Sequence, residues 1–264
     1  MGEGNGQLSR LMEAQVRHWT ASDGVKLAYY TLGEGRPVVL LHGLFSSAQM
    51  NWIKFGHAER IAREGFRVIM MDQRAHGESE APHDPASYPK HVLVRDLEEL
   101  IADLGLTDFD LCGFSLGSRV TLDAVGGGLR PRRAVLSGTG LDVLTNWQRR
   151  CTFFTEAIDI FDTAPRGDPH WLSIQFMRTM KVDRDAARLL LQSMDDHTDP
   201  SAVLASFTMP TLVICGADDD DNGSGEDLAR ALPDARFEET PGTHMSSVTK
   251  PELGDAIARF LAAA

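Results

Sequence analysis

The sequence predicts an α/β fold: a mostly parallel central sheet flanked by helices, with a helical segment inserted late in the chain. Three observations predict it. Short, continuous apolar runs recur, among them Val38–Leu41, Phe66–Met71 and Thr211–Cys215, and such runs are the mark of strands buried on both faces. Helical patterns alternate with them, and this alternation builds a parallel sheet with helices on both sides. From about Leu141 to Met209 the alternation stops, in a stretch longer than one crossover needs.

The elements follow in order. Residues 1–14 read as a polar lead-in. Val16–Thr20 and Val25–Leu32 read as two strands around the turn Ser22-Asp23-Gly24, an antiparallel hairpin at the sheet edge. Val38–Leu41 is the next strand and runs into His42-Gly43-Leu44-Phe45. Trp52–Arg63 reads as one helix ended by Gly65. After the strand Phe66–Met71 comes the polar loop Asp72–Ser79. Lys90–Leu104 carries Leu93, Leu97, Leu100, Ile101 and Leu104 on one stripe, an amphipathic helix closed by Gly105. A strand from Asp110 leads to a helix at about Leu116–Ala124, broken by Gly126-Gly127-Gly128, and then to the strand Ala134–Ser137. Residues 141–209 hold helical patterns rich in large apolar side chains, divided by Pro165 and Pro169. They are expected to form a helical cap on a core made of residues 1–140 and 210–264. Beyond them Thr211–Cys215 and Ala235–Glu239 read as strands, and Glu226–Ala231 and Pro251–Ala264 as helices.

Composition narrows the function. Of 264 residues 42% are hydrophobic, enough for a substantial core, and the formal net charge is −12. So acidic a chain repels phosphate backbones and anionic membrane surfaces, which argues against nucleic acid and membrane partners. Three cysteines, Cys112, Cys151 and Cys215, do not make a disulfide framework. Cys112 and Cys215 fall in strand-like runs and are expected to be buried packing residues. No apolar leader is evident at residues 1–15, and no run approaches the length of a membrane span. A reduced, cytoplasmic setting is the expectation.

The chemistry concentrates at Gly113-Phe114-Ser115-Leu116-Gly117. Placed between a strand and a helix, Gly-x-Ser-x-Gly is the nucleophile elbow of a serine hydrolase: a strained turn that lifts the serine hydroxyl clear of the sheet. Ligands of open α/β sheets bind beyond the carboxyl ends of the strands. The loops at such ends carry His42-Gly43, Ser115, the aspartates around Asp219, and His244.

Taken together these motifs resemble the α/β-hydrolase fold family over nearly the whole chain. The resemblance rests on His42-Gly43, the Asp72–Ser79 loop, the elbow, Gly216-Ala-Asp-Asp219 and Pro241-Gly-Thr-His244. In that family the triad runs nucleophile, acid, histidine along the chain, which implies Ser115, Asp219 and His244. Asp218 is the alternative acid, and Asp142 occupies another position used by some relatives. The resemblance implies an oxyanion hole from the backbone N–H groups of Leu44 and Leu116, and a bracing rather than proton-transferring His42. Asp72 and Arg74 are expected to hold their turn, which departs from the family at Ala75, where glycine is usual. Ser115 disfavours relatives whose nucleophile is an aspartate.

The implied activity is cleavage of small carboxylic esters through an acyl-enzyme, in a pocket whose candidate lining is Phe45, Phe114, Trp147, Phe154, Trp171 and Met177. Perhydrolase or haloperoxidase-like chemistry, lactone or carbon–carbon bond hydrolysis, and a non-enzymatic small-molecule receptor are the alternatives. Relatives strong in perhydrolysis often carry proline where this chain has Phe45. No cofactor is implied. Asp218, Asp220, Asn222 and Gly223 partly match a calcium loop, but the twelfth position is Ala229 and a strand precedes it, so no metal is expected.

Overall fold

A computed structural model describes residues 13–196 and 199–263. It contains an eight-stranded sheet in the order β1-β2-β4-β3-β5-β6-β7-β8. The strands are β1 (Gln15–Thr20), β2 (Lys26–Leu32), β3 (Arg36–Leu41), β4 (Phe66–Asp72), β5 (Asp110–Phe114), β6 (Ala134–Ser137), β7 (Thr211–Gly216) and β8 (Ala235–Thr240). The edge hairpin β1–β2 is antiparallel, with Val16 opposite Tyr30, and β2 also runs antiparallel to β4. Every pairing from β4 through β8 is parallel. Their carboxyl ends therefore share one edge, and all the motif-bearing loops gather there. Of the N-terminal lead-in, residues 1–12 lie outside the described residues, as does Ala264 of the last helix.

Alternation along the strands produces two cores. Val39, Leu41, Ile69, Met71, Leu111, Leu136 and Val213 face one side. Val38, Leu40, Val68, Met70, Cys112, Val135, Leu212 and Ile214 face the other. Because the side-chain period of a strand is two, continuous apolar runs supply both faces at once. The first face is covered by α2 (Val92–Asp103), α3 (Leu116–Gly126), α8 (Gly225–Ala231) and the inserted helices; the second by α1 (His57–Arg63) and α10 (Pro251–Ala262). The three cysteines are buried and unpaired.

The expected helix at Trp52–Arg63 is in fact two pieces. A π-helical turn, Gln49–Ile53, buries Asn51 and Trp52, and α1 starts only at His57. Gly56 separates them at φ 75°, a left-handed value that glycine adopts without side-chain cost. The break directs Asn51 under the His42-Gly43 loop, where its Oδ1 accepts from the Gly43 N–H at 3.1 Å.

Between β6 and β7 lie a short 3-10 turn (Leu141–Leu144), α4 (Trp147–Asp159), α5 (Trp171–Met180), α6 (Arg184–Gln192) and α7 (Pro200–Ala205), with no strand among the described residues of that stretch. Asp183 and Asp199 start α6 and α7 as N-caps, each accepting from the backbone N–H three residues on. Such caps satisfy otherwise orphaned N–H groups and contribute about 1 kcal/mol each. Among the described residues no helix is long and apolar enough to cross a membrane.

Candidate active site

Ser115 sits between β5 and α3 at φ 53°, ψ −110°. A non-glycine residue here stores strain of about 1–3 kcal/mol. The flanking glycines are what make the turn possible. A Cβ on Gly113 would lie 2.2 Å from the Gly117 carbonyl carbon, and one on Gly117 would lie 2.2 Å from the Leu41 oxygen. The turn is held from below by the Ser115 N–H on the Ser137 carbonyl at 2.8 Å and by Ser118 Oγ, which donates to the Gly113 or Ser137 carbonyl. The result is a hydroxyl raised over the sheet edge on a rigid support.

Across that edge His244 Nε2 lies 3.0 Å from Ser115 Oγ, and His244 Nδ1 lies 2.9 Å from Asp219 Oδ2. The ionised carboxylate only accepts, so Nδ1 carries the proton and Nε2 is left to accept from the serine. Burial works to raise the Asp219 carboxyl, but the His244 hydrogen bond and charge outweigh it and hold the group below the usual carboxylate range. His244 opens the single helical turn α9 (His244–Ser247), fixed by a capping box between Thr243 and Ser246. Gly216 and Gly242 let the two loops meet: a Cβ on Gly216 would fall 2.2 Å from the Gly242 oxygen.

The aspartate cluster sorts itself by backbone geometry. Asp219 N–H closes a turn onto the Gly216 carbonyl at 3.0 Å, which points its side chain inward, 2% exposed. Asp218, Asp220 and Asp221 are exposed. Asp142 is exposed on the Leu141–Leu144 turn beside Gly223 and makes no contact with His244 among the described residues. Asn222 is buried, and its amide nitrogen donates to the Gly138 carbonyl at 3.0 Å, a structural tie rather than a ligand position.

The loop after β3 closes the other side. A Cβ on Gly43 would lie 3.5 Å from Ser115 Cβ, so the His42–Phe45 backbone runs directly beside the serine. Neither the Leu44 nor the Leu116 N–H is committed to an acceptor among the described residues. His42 is fully buried; its Nδ1 donates to the Gly43 carbonyl at 2.8 Å and its Nε2 accepts from the Gln73 N–H at 3.0 Å. Burial pushes its pKa down to about 4, so it braces the loop as a neutral ring.

His76, which sequence reasoning passed over, does the same one step further along. Its Nε2 accepts from the Phe45 N–H at 3.0 Å while Nδ1 donates to the Arg74 carbonyl. Burial, with the nearby His42, brings its pKa to about 3. Phe45 is thereby held at φ 60°.

Asp72 and Arg74 hold the turn as expected. Asp72 accepts from the N–H groups of Ala48 and Glu78. Arg74 is clamped by Asp96 at 2.9 and 2.8 Å and reaches Asp23 at 2.7 Å. Ala75 takes φ 67°, the conformation for which glycine is the usual residue.

Above the serine lies a cavity of about 870 Å³ between the loops and the inserted helices. Phe45, Phe114 and Phe154 line it; Trp147, Trp171 and Met177 do not. Helical phase keeps them out. Trp147, Cys151 and Ile158 form the buried stripe of α4, and Trp147 packs under the Arg119 guanidinium at 5.5 Å. Arg149, Arg150 and Phe153 occupy the stripe facing the cavity. On α5, Ile174 and Met177 are buried while Leu172 and Phe176 face the cavity. Helical spacing alone identifies two stripes on each helix; which of them faces inward depends on the docking partner.

Comparison with known proteins agrees with this geometry. The family model described as alpha/beta hydrolase fold matches residues 36–173, just over half the chain. The non-heme chloroperoxidase CPO-A1 of Kitasatospora aureofaciens is 28% identical, over 85% of this chain and 90% of that protein. Shorter matches, to epoxide hydrolases, cover 36–41% of this chain and 16–36% of those proteins. Among solved structures, a hydrolase from Pseudomonas aeruginosa PA01 superposes with a TM-score of 0.75 at 27% identity, over 94% of this chain and 99% of that one. A thermophilic esterase from Thermogutta terrifontis gives 0.72 at 25% identity, over 94% and 98%. The strand order, the serine elbow and the family match converge: the chain belongs to the α/β-hydrolase fold family.

Proposed function

We propose that the protein is a serine hydrolase that cleaves small carboxylic esters through an acyl-enzyme intermediate. The observation that carries this reading is the hydrogen-bonded line Asp219–His244–Ser115, at 2.9 and 3.0 Å, opening into a cavity lined in part by phenylalanines such as Phe45, Phe114 and Phe154. Ser115 attacks the acyl carbonyl while His244 Nε2 takes its proton, because a serine hydroxyl is a poor nucleophile without a base. Asp219 fixes the imidazole tautomer and stabilises the imidazolium that forms. The N–H groups of Leu44 and Leu116 receive the negative charge on the carbonyl oxygen, each contributing about 3 kcal/mol to the barrier reduction. The imidazolium then protonates the leaving alcohol, and a water repeats the sequence to release the acid. Residues 141–209 act as a cap on a core of residues 1–140 and 210–264 and select the acyl and alcohol groups. No step calls for a metal or cofactor.

The test is a panel of p-nitrophenyl esters together with fluorophosphonate labelling. Wild-type protein is expected to turn over short esters and to label at Ser115. Ser115→Ala is expected to lose labelling and to lose turnover by on the order of 10⁴-fold or more. Hydrolysis undiminished in Ser115→Ala sinks the proposal.

Perhydrolysis, in which peroxide replaces water at the acyl-enzyme, is the second reading, favoured by the resemblance to the chloroperoxidase. Position 45 weighs against it. Phe45 adopts φ 60° and donates its N–H to His76; proline has neither that φ nor an N–H. This loop is therefore not a minor variant of a proline-bearing one. A ratio of peracid to acid formation well above that of simple esterases would reverse the ranking.

A further inference from the structure

Arg150 connects the inserted helices to the acid–base pair. It stands on α4 and lines the cavity. Its Nη1 donates to the Asp221 carbonyl at 2.7 Å. The N–H of Asp221 in turn donates to Asp219 Oδ1 at 3.2 Å, and Asp219 Oδ2 accepts from His244 at 2.9 Å. A continuous hydrogen-bonded path therefore runs from an inserted helix to Ser115.

This guanidinium is an odd one to keep for stability alone. Among the described residues it forms no ion pair within hydrogen-bonding reach, and its Nε is buried without an acceptor. Burial lowers its pKa, opposed by the charges of Asp221 and Asp219. A half-buried cation without a touching carboxylate is costly; the Phe154 ring, 5.5 Å from the guanidinium carbon, offsets only part of that. What the cation does reach is the field at Asp219, where it is one of the groups favouring the ionised carboxylate. The other charged side chains on this wall, Asp142, Arg149, Asp218, Asp220 and Asp221, are exposed.

We infer that Arg150 is a positioning residue for the acid–base pair: it pins the loop that carries Asp219 and supplies positive potential beside it, so that the seating of α4 tunes the Asp219–His244 hydrogen bond. The kinetic consequences rest on the serine hydrolase reading; the hydrogen bond itself does not.

The experiment compares Arg150→Gln, which removes the charge, with Arg150→Lys, which keeps it. Thermal melts establish that each variant is folded. In Arg150→Gln, kcat for a p-nitrophenyl ester is expected to fall about fivefold, the equivalent of one ordinary hydrogen bond, with KM little changed. Arg150→Lys is expected to keep kcat near the wild-type value. The downfield proton NMR signal of the His244 Nδ1–H, assigned by its loss in His244→Gln, is expected to shift or broaden in Arg150→Gln and persist in Arg150→Lys. That signal needs no turnover, so it decides the positioning role even if wild-type protein cleaves no ester. An unmoved signal in Arg150→Gln overturns the inference; if KM alone rises, Arg150 is a substrate contact instead.

Discussion

The two neutral histidines that brace the His42–Phe45 loop make a quantitative prediction about acid. His42 and His76 are buried with ring centroids 5.0 Å apart, and burial brings them to about 4 and about 3. In the unfolded chain each titrates near its ordinary value of about 6.5. Below that pH the unfolded state binds protons that the folded state refuses, so stability present above about pH 6.5 is lost as pH falls through the folded values. The loss comes to about 2 kcal/mol per histidine between pH 7 and pH 5, or about 4 kcal/mol for the pair. That is a large share of the roughly 5–15 kcal/mol that holds a domain folded. His57, also lowered by burial, adds to the slope. Asp72, Asp96, Asp110 and Asp123 oppose it, since burial raises their carboxyls in spite of their hydrogen-bond and arginine partners. Asp219, held low, loses its contribution only in stronger acid. Urea unfolding at half-unit steps from pH 7.5 to 5 measures the slope directly. In His76→Gln the amide oxygen can still accept from the Phe45 N–H, and the slope near pH 5.5 is expected to flatten by about 1 kcal/mol per pH unit. A His76→Gln variant that keeps the full wild-type slope refutes the reasoning.

Three substitutions probe the remaining arguments. Asp219→Asn is expected to cut ester turnover by about 10⁴-fold by favouring the wrong tautomer, whereas Asp218→Asn is expected to stay within a few-fold of wild type; stopped-flow or plate assays of equal quantities separate them, and the reverse order would discard the acid assignment. Ala75→Gly is expected to raise the urea midpoint, by about 0.5–1 kcal/mol in stability, because relief of a left-handed alanine of about 1–2 kcal/mol exceeds the entropic cost of glycine; a lower midpoint contradicts the strain argument. Gly117→Ala is expected to abolish soluble folded protein or lower stability by more than about 3 kcal/mol, since its Cβ would lie 2.2 Å from the Leu41 carbonyl oxygen; a melting temperature near wild type would show that the elbow yields more easily than its spacing implies.

The parts of the fold that were legible are those written in local signals. Apolar runs such as Val38–Leu41 mark a strand wherever it ends up in the sheet, and Gly-Phe-Ser-Leu-Gly announces a turn because only glycine fits the contacts around Gly113 and Gly117. The loop register in Gly216-Ala-Asp-Asp219 is equally local, which is why family spacing picked the one aspartate that turns inward. What stayed hidden depends on partners far along the chain. Gly56 breaks a helix whose apolar pattern reads as continuous, and Asn51 before the break meets Gly43. Trp147 and Phe153 are both large and aromatic; the docking of α4 puts the first in the core and the second on the cavity wall. His76 meets Phe45 across 31 residues and Arg150 meets Asp221 across 71, separations over which no periodicity speaks. The division has a physical basis. The elbow and its glycines answer to steric exclusion within a few residues, whereas the residues that tune the site answer to charge and hydrogen bonding across the sheet edge. A sequence of this fold therefore declares its nucleophile more readily than its substrate, and the substrate must be sought in the phase of α4 and α5 over Ser115.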